Sequence, residues 1–167
     1  MLFLKNIEKT IEDAADNSKA EEVDLIFVMS PYIEQLMKKR FEEYKIRFFY
    51  SYNTASDYLV KHYENTKIMI IDKELNPLDL SFNEQSKCLE GLIKNAKEKK
   101  IALVLLNPYQ IPMAKNKIAN KASEKEEIFD QNKFYDELVK NKETTINFFN
   151  FLDSIEKIKE YLKNSSF

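Results

Sequence analysis

The 167-residue sequence contains a single glycine, Gly91, and this scarcity excludes two large classes of nucleotide-binding site. A dinucleotide-binding loop and a phosphate-binding P-loop both need several glycines, because the backbone must approach the phosphates closely. The chain also has only one histidine, His62, and one cysteine, Cys88. A zinc site built from His and Cys, a disulfide framework and a Cys-x-x-Cys redox pair are therefore excluded as well.

The chain has no large excess of either charge, since 26 basic residues face 28 acidic ones and the net charge is −2. This balance argues against bulk nucleic-acid binding, which favours a basic face. The start of the chain lacks the apolar core of a signal peptide, and no apolar run reaches the roughly 18 residues of a membrane-spanning helix. We therefore expect a soluble cytoplasmic protein that binds neither nucleic acid nor membrane.

The sequence does contain a regular alternation of strand and helix patterns. Hydrophobic residues make up 44% of the chain and aromatic residues 13%, which is enough for one folded domain. Apolar runs of strand length predict strands over residues 23–29, 46–50, 67–72, 101–106 and 144–149. Apolar residues at helical spacing predict helices over residues 1–20, 32–44, 54–62, 83–99, 124–141 and 154–163.

Capping signals support three of these helix starts. Ser30 followed by Pro31 is typical of a helix that begins just after the first strand. Thr54 or Ser56 is the expected cap of the helix that ends near His62. Ser123, three residues before Glu126, has the spacing of a capping box.

Strands that alternate with helices predict βαβ units, and hence a parallel sheet with helices on both faces. Five such strands fit a flavodoxin-like α/β fold with strand order 2-1-3-4-5, in which ligands bind beyond the carboxyl ends of the first and third strands. This order predicts one crevice lined by Ser30, Asp72 and Asn107, with Asn150 on the same rim. We expect a single globular unit over residues 21–167, preceded by an extra N-terminal helix over residues 1–20.

From about residue 23 to residue 162, the chain resembles the receiver domain of bacterial response regulators, which has a CheY-like fold. The segment SYNTASDYLVKHYENTKIMIID resembles the passage from the second strand to the third, which ends on the phosphoacceptor aspartate. IALVLLNP resembles the fourth strand, and NFLDSIEKIKEYL resembles the segment that leads into the last helix. The resemblance implies a protein of signal transduction in a two-component system.

Carried over residue by residue, the resemblance assigns the phosphoacceptor position to Asp72. It also implies a pair of acidic residues that hold Mg²⁺ at the end of the first strand, where this chain has Val28, Met29 and Ser30. Asn107 stands in place of the family's hydroxyl-bearing residue, and Asn150 in place of its lysine. Because Mg²⁺ and lysine neutralise the charge that develops during phosphoryl transfer, we expect a pseudo-receiver without phosphotransfer, without enzymatic activity and without a cofactor. We expect a bound Mg²⁺ ion only if Asp72 functions as a phosphoacceptor.

Other interpretations of these residues stay open. Asp72 is either a phosphoacceptor or metal ligand, or a strand-end carboxylate that caps the following loop. Asn107 is either a crevice residue or an ordinary turn residue before Pro108. The chain is then a phosphorylatable receiver, or a small flavodoxin-like enzyme or ligand-binding domain that uses Ser30, Asp72 and Asn107. A serine nucleophile needs a base within hydrogen-bond reach, and His62 lies far along the chain on a helix.

We expect this stand-alone module to work through contacts with a partner protein or a second copy of the chain. The expected surface comprises the fourth helix, the fifth strand and the final helix, with Tyr135 and Tyr161 exposed on adjoining flanks. The alternative is that residues 108–123 fold back and cover these rings. The first 24 residues hold three lysines against seven acidic residues, so the N-terminal helix either packs on the core or binds a partner. The lysine-rich run at residues 113–121 is either a solvated loop or a contact for an acidic partner.

Overall fold

The computed structural model describes residues 23–62, 66–107, 129–140 and 143–165. Three predictions lie outside these residues: the helix over residues 1–20, the lysine-rich run at 113–121 and the Ser123–Glu126 capping box. The described strands are β1 (Leu25–Val28), β2 (Ile46–Phe49), β3 (Ile68–Asp72), β4 (Ala102–Leu106) and β5 (Glu143–Ile146). The described helices are α1 (Glu34–Arg40), which follows a 3-10 turn at Pro31–Ile33, α2 (Tyr52–His62), α3 (Phe82–Glu98), α4 (Gln131–Val139), α5 (Phe148–Asp153) and α6 (Ile155–Asn164).

The five strands form one parallel sheet with the order β2-β1-β3-β4-β5. This confirms the predicted flavodoxin-like α/β fold and its strand order. β1 and β3 lie in the interior of the sheet and are almost entirely buried, which explains why both appear in the sequence as continuous apolar runs.

Alternate residues of each strand point to opposite faces of the sheet and build two separate cores. Leu25 and Phe27 of β1 belong to a first core that α1, α4, α5 and α6 cover. Ile26 and Val28 belong to a second core that α2 and α3 cover. Among the described residues, helices therefore lie on both faces, as predicted, with four on the first face and two on the second.

Helix α4, the described helix between β4 and β5, lies on the face opposite to the one that a right-handed crossover would use. β3, β4 and β5 follow one another in a single direction across the sheet, yet α3 packs on the second face and α4 on the first. The β1–α1–β2, β2–α2–β3 and β3–α3–β4 units all share one hand, and about 98% of such crossovers are right-handed. The position of α4 is thus the exception, and residues 108–128 of this connection lie outside the described residues.

Two helix starts differ from their predicted positions. α2 begins at Tyr52, because the Ser51 Oγ atom accepts a hydrogen bond from the Thr54 N–H group at 3.2 Å; the predicted caps at Thr54 and Ser56 are wrong. α4 begins at Gln131, because Asp130 has an extended backbone and its carboxylate accepts hydrogen bonds from the N–H groups of the second and third helical residues. A helix that is continuous through residue 130, as predicted, is therefore wrong.

The fifth strand ends earlier than the apolar pattern predicts. β5 stops at Ile146, and Phe148 begins the short helix α5. The cause is Asn147, whose Oδ1 atom accepts a hydrogen bond from the Asn150 N–H group at 2.7 Å and so caps the helix. The apolar residues that follow in the sequence, such as Phe151, are buried from a helix and not from a strand.

The C-terminus of α3 places a lysine in a backbone conformation that favours glycine. Lys100 has a φ of +60°. Its N–H group donates to the Lys97 carbonyl at 3.0 Å, and the Ile101 N–H group donates to the Ala96 carbonyl at 3.1 Å, which together form a Schellman motif. A side chain with a Cβ atom is strained in the left-handed region, so glycine is the usual residue at this position.

We expect Lys100→Gly to stabilise the fold by about 1 kcal/mol, because it relieves the left-handed strain. Urea denaturation of the wild type and the variant measures this difference. Lys99→Gly is the matched control: Lys99 has a φ of −89°, and glycine there relieves no such strain and is expected to destabilise the protein. Equal effects of the two substitutions would contradict the assignment of strain to Lys100.

Candidate functional site

The carboxyl edge of the sheet, where all five strands end, carries the residues that the sequence singled out. Asp72 is the last residue of β3, Ser30 follows β1 by two positions, and Asn107 directly follows β4. Asn150 lies in the first turn of α5, which begins just beyond β5. The parallel direction of the strands therefore gathers the four residues at one edge, and the contacts of each one decide what it does there.

Asp72 is half-buried and is engaged in a local turn. Its Oδ1 atom accepts a hydrogen bond from the Glu74 N–H group at 2.9 Å. Burial raises the pKa of the Asp72 carboxyl above its usual range, and the hydrogen bond from the Glu74 backbone opposes that rise only in part. The geometry thus corresponds to the capping interpretation of this carboxylate.

Ser30 is the cap of the 3-10 turn that leads into α1. Its backbone is extended, and its Oγ atom accepts a hydrogen bond from the Tyr32 N–H group at 3.3 Å. Pro31 occupies the first position of the turn, where a missing N–H group leaves no hydrogen bond unmade. The predicted helix-start signal is confirmed, and it accounts for the polar contact of Ser30.

The residues around Asp72 do not fit a Mg²⁺ site. Mg²⁺ prefers an octahedral set of oxygen ligands. At the end of β1 stand Met29, which is buried in the first core, and Ser30, which caps a turn. Across the described ranges, which omit residues 1–22 and 108–128, no group of three or more His, Cys, Asp or Glu side chains is arranged to hold a metal ion.

The loop that follows Asp72 is held by a buried tyrosine from α2. The Tyr52 hydroxyl donates to the Asp72 carbonyl at 2.6 Å and accepts from the Leu75 N–H group at 3.0 Å. Burial raises the pKa of Tyr52 far above its usual range, so the hydroxyl stays protonated and remains a donor. Gln85 of α3 adds a hydrogen bond from its Nε2 atom to the Leu75 carbonyl at 3.1 Å. One side chain from each neighbouring helix therefore fixes the backbone beside the candidate phosphoacceptor.

Asn107 and Asn150 lie together in an open groove between β5, α4 and the start of α5. Asn107 is exposed, and its N–H group donates to the Ile146 carbonyl at 2.9 Å. The opposite wall carries three charged side chains, Asp130, Lys133 and Glu137. Asp72 and Ser30 do not line this groove or the two described clefts beside α3. Among the clefts that the described residues form here, this groove therefore contains two of the four predicted residues, and Asp72 lies beside it, in register with Leu106 of β4.

The predicted surface at Tyr135 and Tyr161 is half wrong. Tyr161 is only 9% exposed and belongs to the first core, because α6 packs directly against α4 on the same face of the sheet. Tyr135 is half-buried in the same contact, where its hydroxyl accepts a hydrogen bond from the Asn164 Nδ2 atom at 2.9 Å. Ile155, Ile158 and Leu162 of α6 recur at helical spacing and belong to the first core.

Sequence reasoning missed a set of apolar side chains at the carboxyl edge that are exposed to solvent. Tyr32 is 95% exposed, Phe82 is 79% exposed and Leu78 is 66% exposed. Tyr50 follows the edge strand β2, and Phe149 lies in α5 just beyond the edge strand β5; both are more than 40% exposed. We call these five residues the apolar rim. Each stands in a different local pattern, and only the parallel sheet places all of them at one edge.

We expect Asp72→Asn to leave the stability at pH 7 unchanged or slightly raised, by less than about 1 kcal/mol. The asparagine Oδ1 atom retains the acceptor for the Glu74 N–H group, and the charge that burial disfavours is removed. Because the pKa of Asp72 is raised in the folded state, the stability of the wild type falls as pH rises from the unfolded value of 3.8 through the folded one.

Urea denaturation between about pH 3 and about pH 7, a range that spans the ordinary carboxyl pKa of about 3.9, checks this prediction. As pH rises through this range, the free energy of unfolding of Asp72→Asn becomes larger than that of the wild type. Below this range the two proteins are equally stable. A loss of more than about 2 kcal/mol at pH 7 would instead show that the carboxylate pairs with a cation.

Comparison of the chain with protein-family models, with curated proteins and with solved structures gives no match in any of the three. Among the described residues, no helix is both long enough and apolar enough to cross a bilayer.

Proposed function

We propose that this chain is a receiver-like regulatory module that acts through protein–protein contacts and does not carry out phosphotransfer. The observation that carries the proposal is the environment of Asp72. Its carboxylate stands at the end of β3, at the phosphoacceptor position of the resemblance, yet it caps the Glu74 N–H group and has Met29 and Ser30 where acidic residues would be needed. The proposed regulatory role rests on the resemblance to receiver domains. The proposed lack of phosphotransfer rests on the residues around Asp72.

The physical argument against phosphotransfer is one of charge. Moving a phosphoryl group to a carboxylate builds negative charge on the phosphoryl oxygens, and this charge needs a cation beside it. Asn150 is neutral and sits in a helical turn beside Asn107, in a groove that Asp72 does not line. The Asp72 carboxylate also lies in a backbone turn that Tyr52 fixes from α2. A phosphorylated Asp72 would face neither a metal cage nor the expected lysine.

The argument for a protein partner is the apolar rim. Phe82 and Leu78 follow β3, Tyr32 follows β1 and Phe149 follows β5, and all are exposed. Large aromatic side chains at an exposed edge contribute buried area when a partner covers them, which is why they are enriched in protein interfaces. The apolar rim thus fits a partner that presents an apolar patch. Asp72, Glu74 and Asp79 of this chain are the acidic residues near the rim.

We expect acetyl phosphate or beryllofluoride with Mg²⁺ neither to modify nor to stabilise the full chain. Intact-mass spectrometry and thermal melting measure the two effects. A mass increase of one phosphoryl group, or a rise of several degrees in melting temperature, that disappears in Asp72→Asn would contradict the proposal and establish a phosphorylatable receiver. Melting with Mg²⁺ alone is the control for non-specific stabilisation.

We also expect the apolar rim to be required for partner binding. Tagged wild type, Phe82→Ser, Leu78→Ser and the control Leu36→Ser are purified from the source cells, and bound proteins are identified by mass spectrometry. A partner that co-purifies in stoichiometric amount with the wild type and with Leu36→Ser should be lost from both rim variants. All four proteins should melt within a few degrees of one another, because the changed side chains are exposed. Retention of the partner by both rim variants would contradict this surface.

A further inference from the structure

The amino edge of the sheet, opposite the candidate site, is rich in lysine. Each helix of a parallel α/β protein runs antiparallel to the strands, so the C-termini of the helices gather at this edge. Lysine is favoured near a helix C-terminus because it interacts well with the helix dipole. The parallel fold therefore brings lysines from several helix C-termini together on one surface. We call it the basic edge, and it comprises Lys61, Lys67, Lys97, Lys99, Lys100 and Lys140.

Acidic residues neutralise only part of the basic edge. The Asp24 carboxylate lies 3.5 Å from the Lys67 Nζ atom, and the Glu143 carboxylate lies 3.1 Å from the Lys97 Nζ atom. Lys100 and Lys140 are exposed and form no ion pair with any of the residues that the structure describes. Within the part of the chain that the structure describes, positive charge at this edge thus exceeds negative charge, although the net charge of the chain is −2.

Two further features set this edge apart from an ordinary solvated surface. Lys100 occupies a left-handed position with a φ of +60°, so this cation is kept at a position where glycine would be more stable. Val60 and Val139, in the last turns of α2 and α4, are 66% and 54% exposed beside the lysines. The surface therefore combines positive charge with exposed apolar groups.

The chemistry that complements such a surface is present in the same chain. Residues 1–22 carry six acidic residues against three lysines. Their apolar positions Leu4, Ile7, Ile11 and Ala14 have helical spacing. We propose that the basic edge is a docking surface for an acidic, amphipathic polypeptide segment, and that its occupant is residues 1–22 of the same chain. This inference does not depend on the receiver-like assignment.

Geometry favours the chain's own segment over a separate molecule. Residue 22 joins Val23, which leads into β1 at the amino edge, and β3 and β4 are the next strands along the sheet. Adjacent strands lie about 4.8 Å apart, so Lys67 and Lys100 precede strands that are about 5 and 10 Å from the point of entry. A helix of 20 residues is about 30 Å long and spans the whole edge. A tethered segment also acts at an effective concentration in the millimolar range.

The test uses the full chain, with hydrogen exchange followed by mass spectrometry. We expect the amides of residues 1–22 to exchange about tenfold more slowly in low salt than in high salt, because salt screens exposed charges. The variant Lys100→Glu with Lys140→Glu should lose this protection. The matched control is Lys73→Glu with Lys133→Glu, which changes charge equally at the carboxyl edge and should keep it. A complementary variant, Glu12→Gln with Asp13→Asn and Asp16→Asn, should lose protection without any change to the folded sheet.

Zero-length carbodiimide cross-linking identifies the occupant. A mixture of isotopically light and heavy chains should give links between acidic residues of 1–22 and lysines of the basic edge within single copies. Links found only between light and heavy copies would overturn the proposal in favour of a dimer. Absence of protection in the wild type, or equal protection in the basic-edge variant and its control, would show that the edge is an unoccupied solvated surface and would also overturn it.

Discussion

The parallel direction of all five strands is the constraint on which the rest of this structure depends. Interior strands such as β1 and β3 bury both faces, so helices have to cover both sides of the sheet. Asp24 shows how closely the start of the sheet is held: its Oδ2 atom accepts the Lys45 N–H group at 3.2 Å, and its Oδ1 atom pairs with Lys67. The same constraint aligns the helices, and so it gives the molecule two chemically different edges.

At the carboxyl edge, most polar side chains serve the backbone that immediately follows them. Asp72, Ser30 and Asn147 each accept a hydrogen bond from an N–H group within three residues. Tyr52 adds a longer contact that fixes the loop after β3. Side chains that satisfy turns in this way are poorly placed to assemble a reactive centre. The chemistry left over at this edge is apolar surface, and this is why the proposed function is one of binding.

The position of α4 on the first face of the sheet determines how that side of the molecule packs. Because α4 lies on the same face as α6, the two helices pack together and bury Tyr161 between them and the sheet. The same arrangement leaves Glu143 and Thr145 of β5 exposed on the other face, where a right-handed connection would have placed a helix. The partner surface expected from a fold with only right-handed connections is therefore not exposed as predicted. The apolar rim is the better candidate for the partner surface.

The sequence by itself determined the features that depend on neighbouring residues. The apolar runs, the Ser30–Pro31 start and the position of Asp72 at a strand end are local patterns, and the alternation of strands and helices was enough to predict the order 2-1-3-4-5. Only the tertiary structure decided the features that join distant residues. Tyr52 meets the loop after Asp72 across 20 residues, and Asn164 meets Tyr135 across 29. The lysines of the basic edge come from the ends of α2 and α3 and from the segments that follow α2, α3 and α4. Period and propensity describe what a residue does within its own turn or strand, whereas these contacts arise from the packing of whole elements against one another.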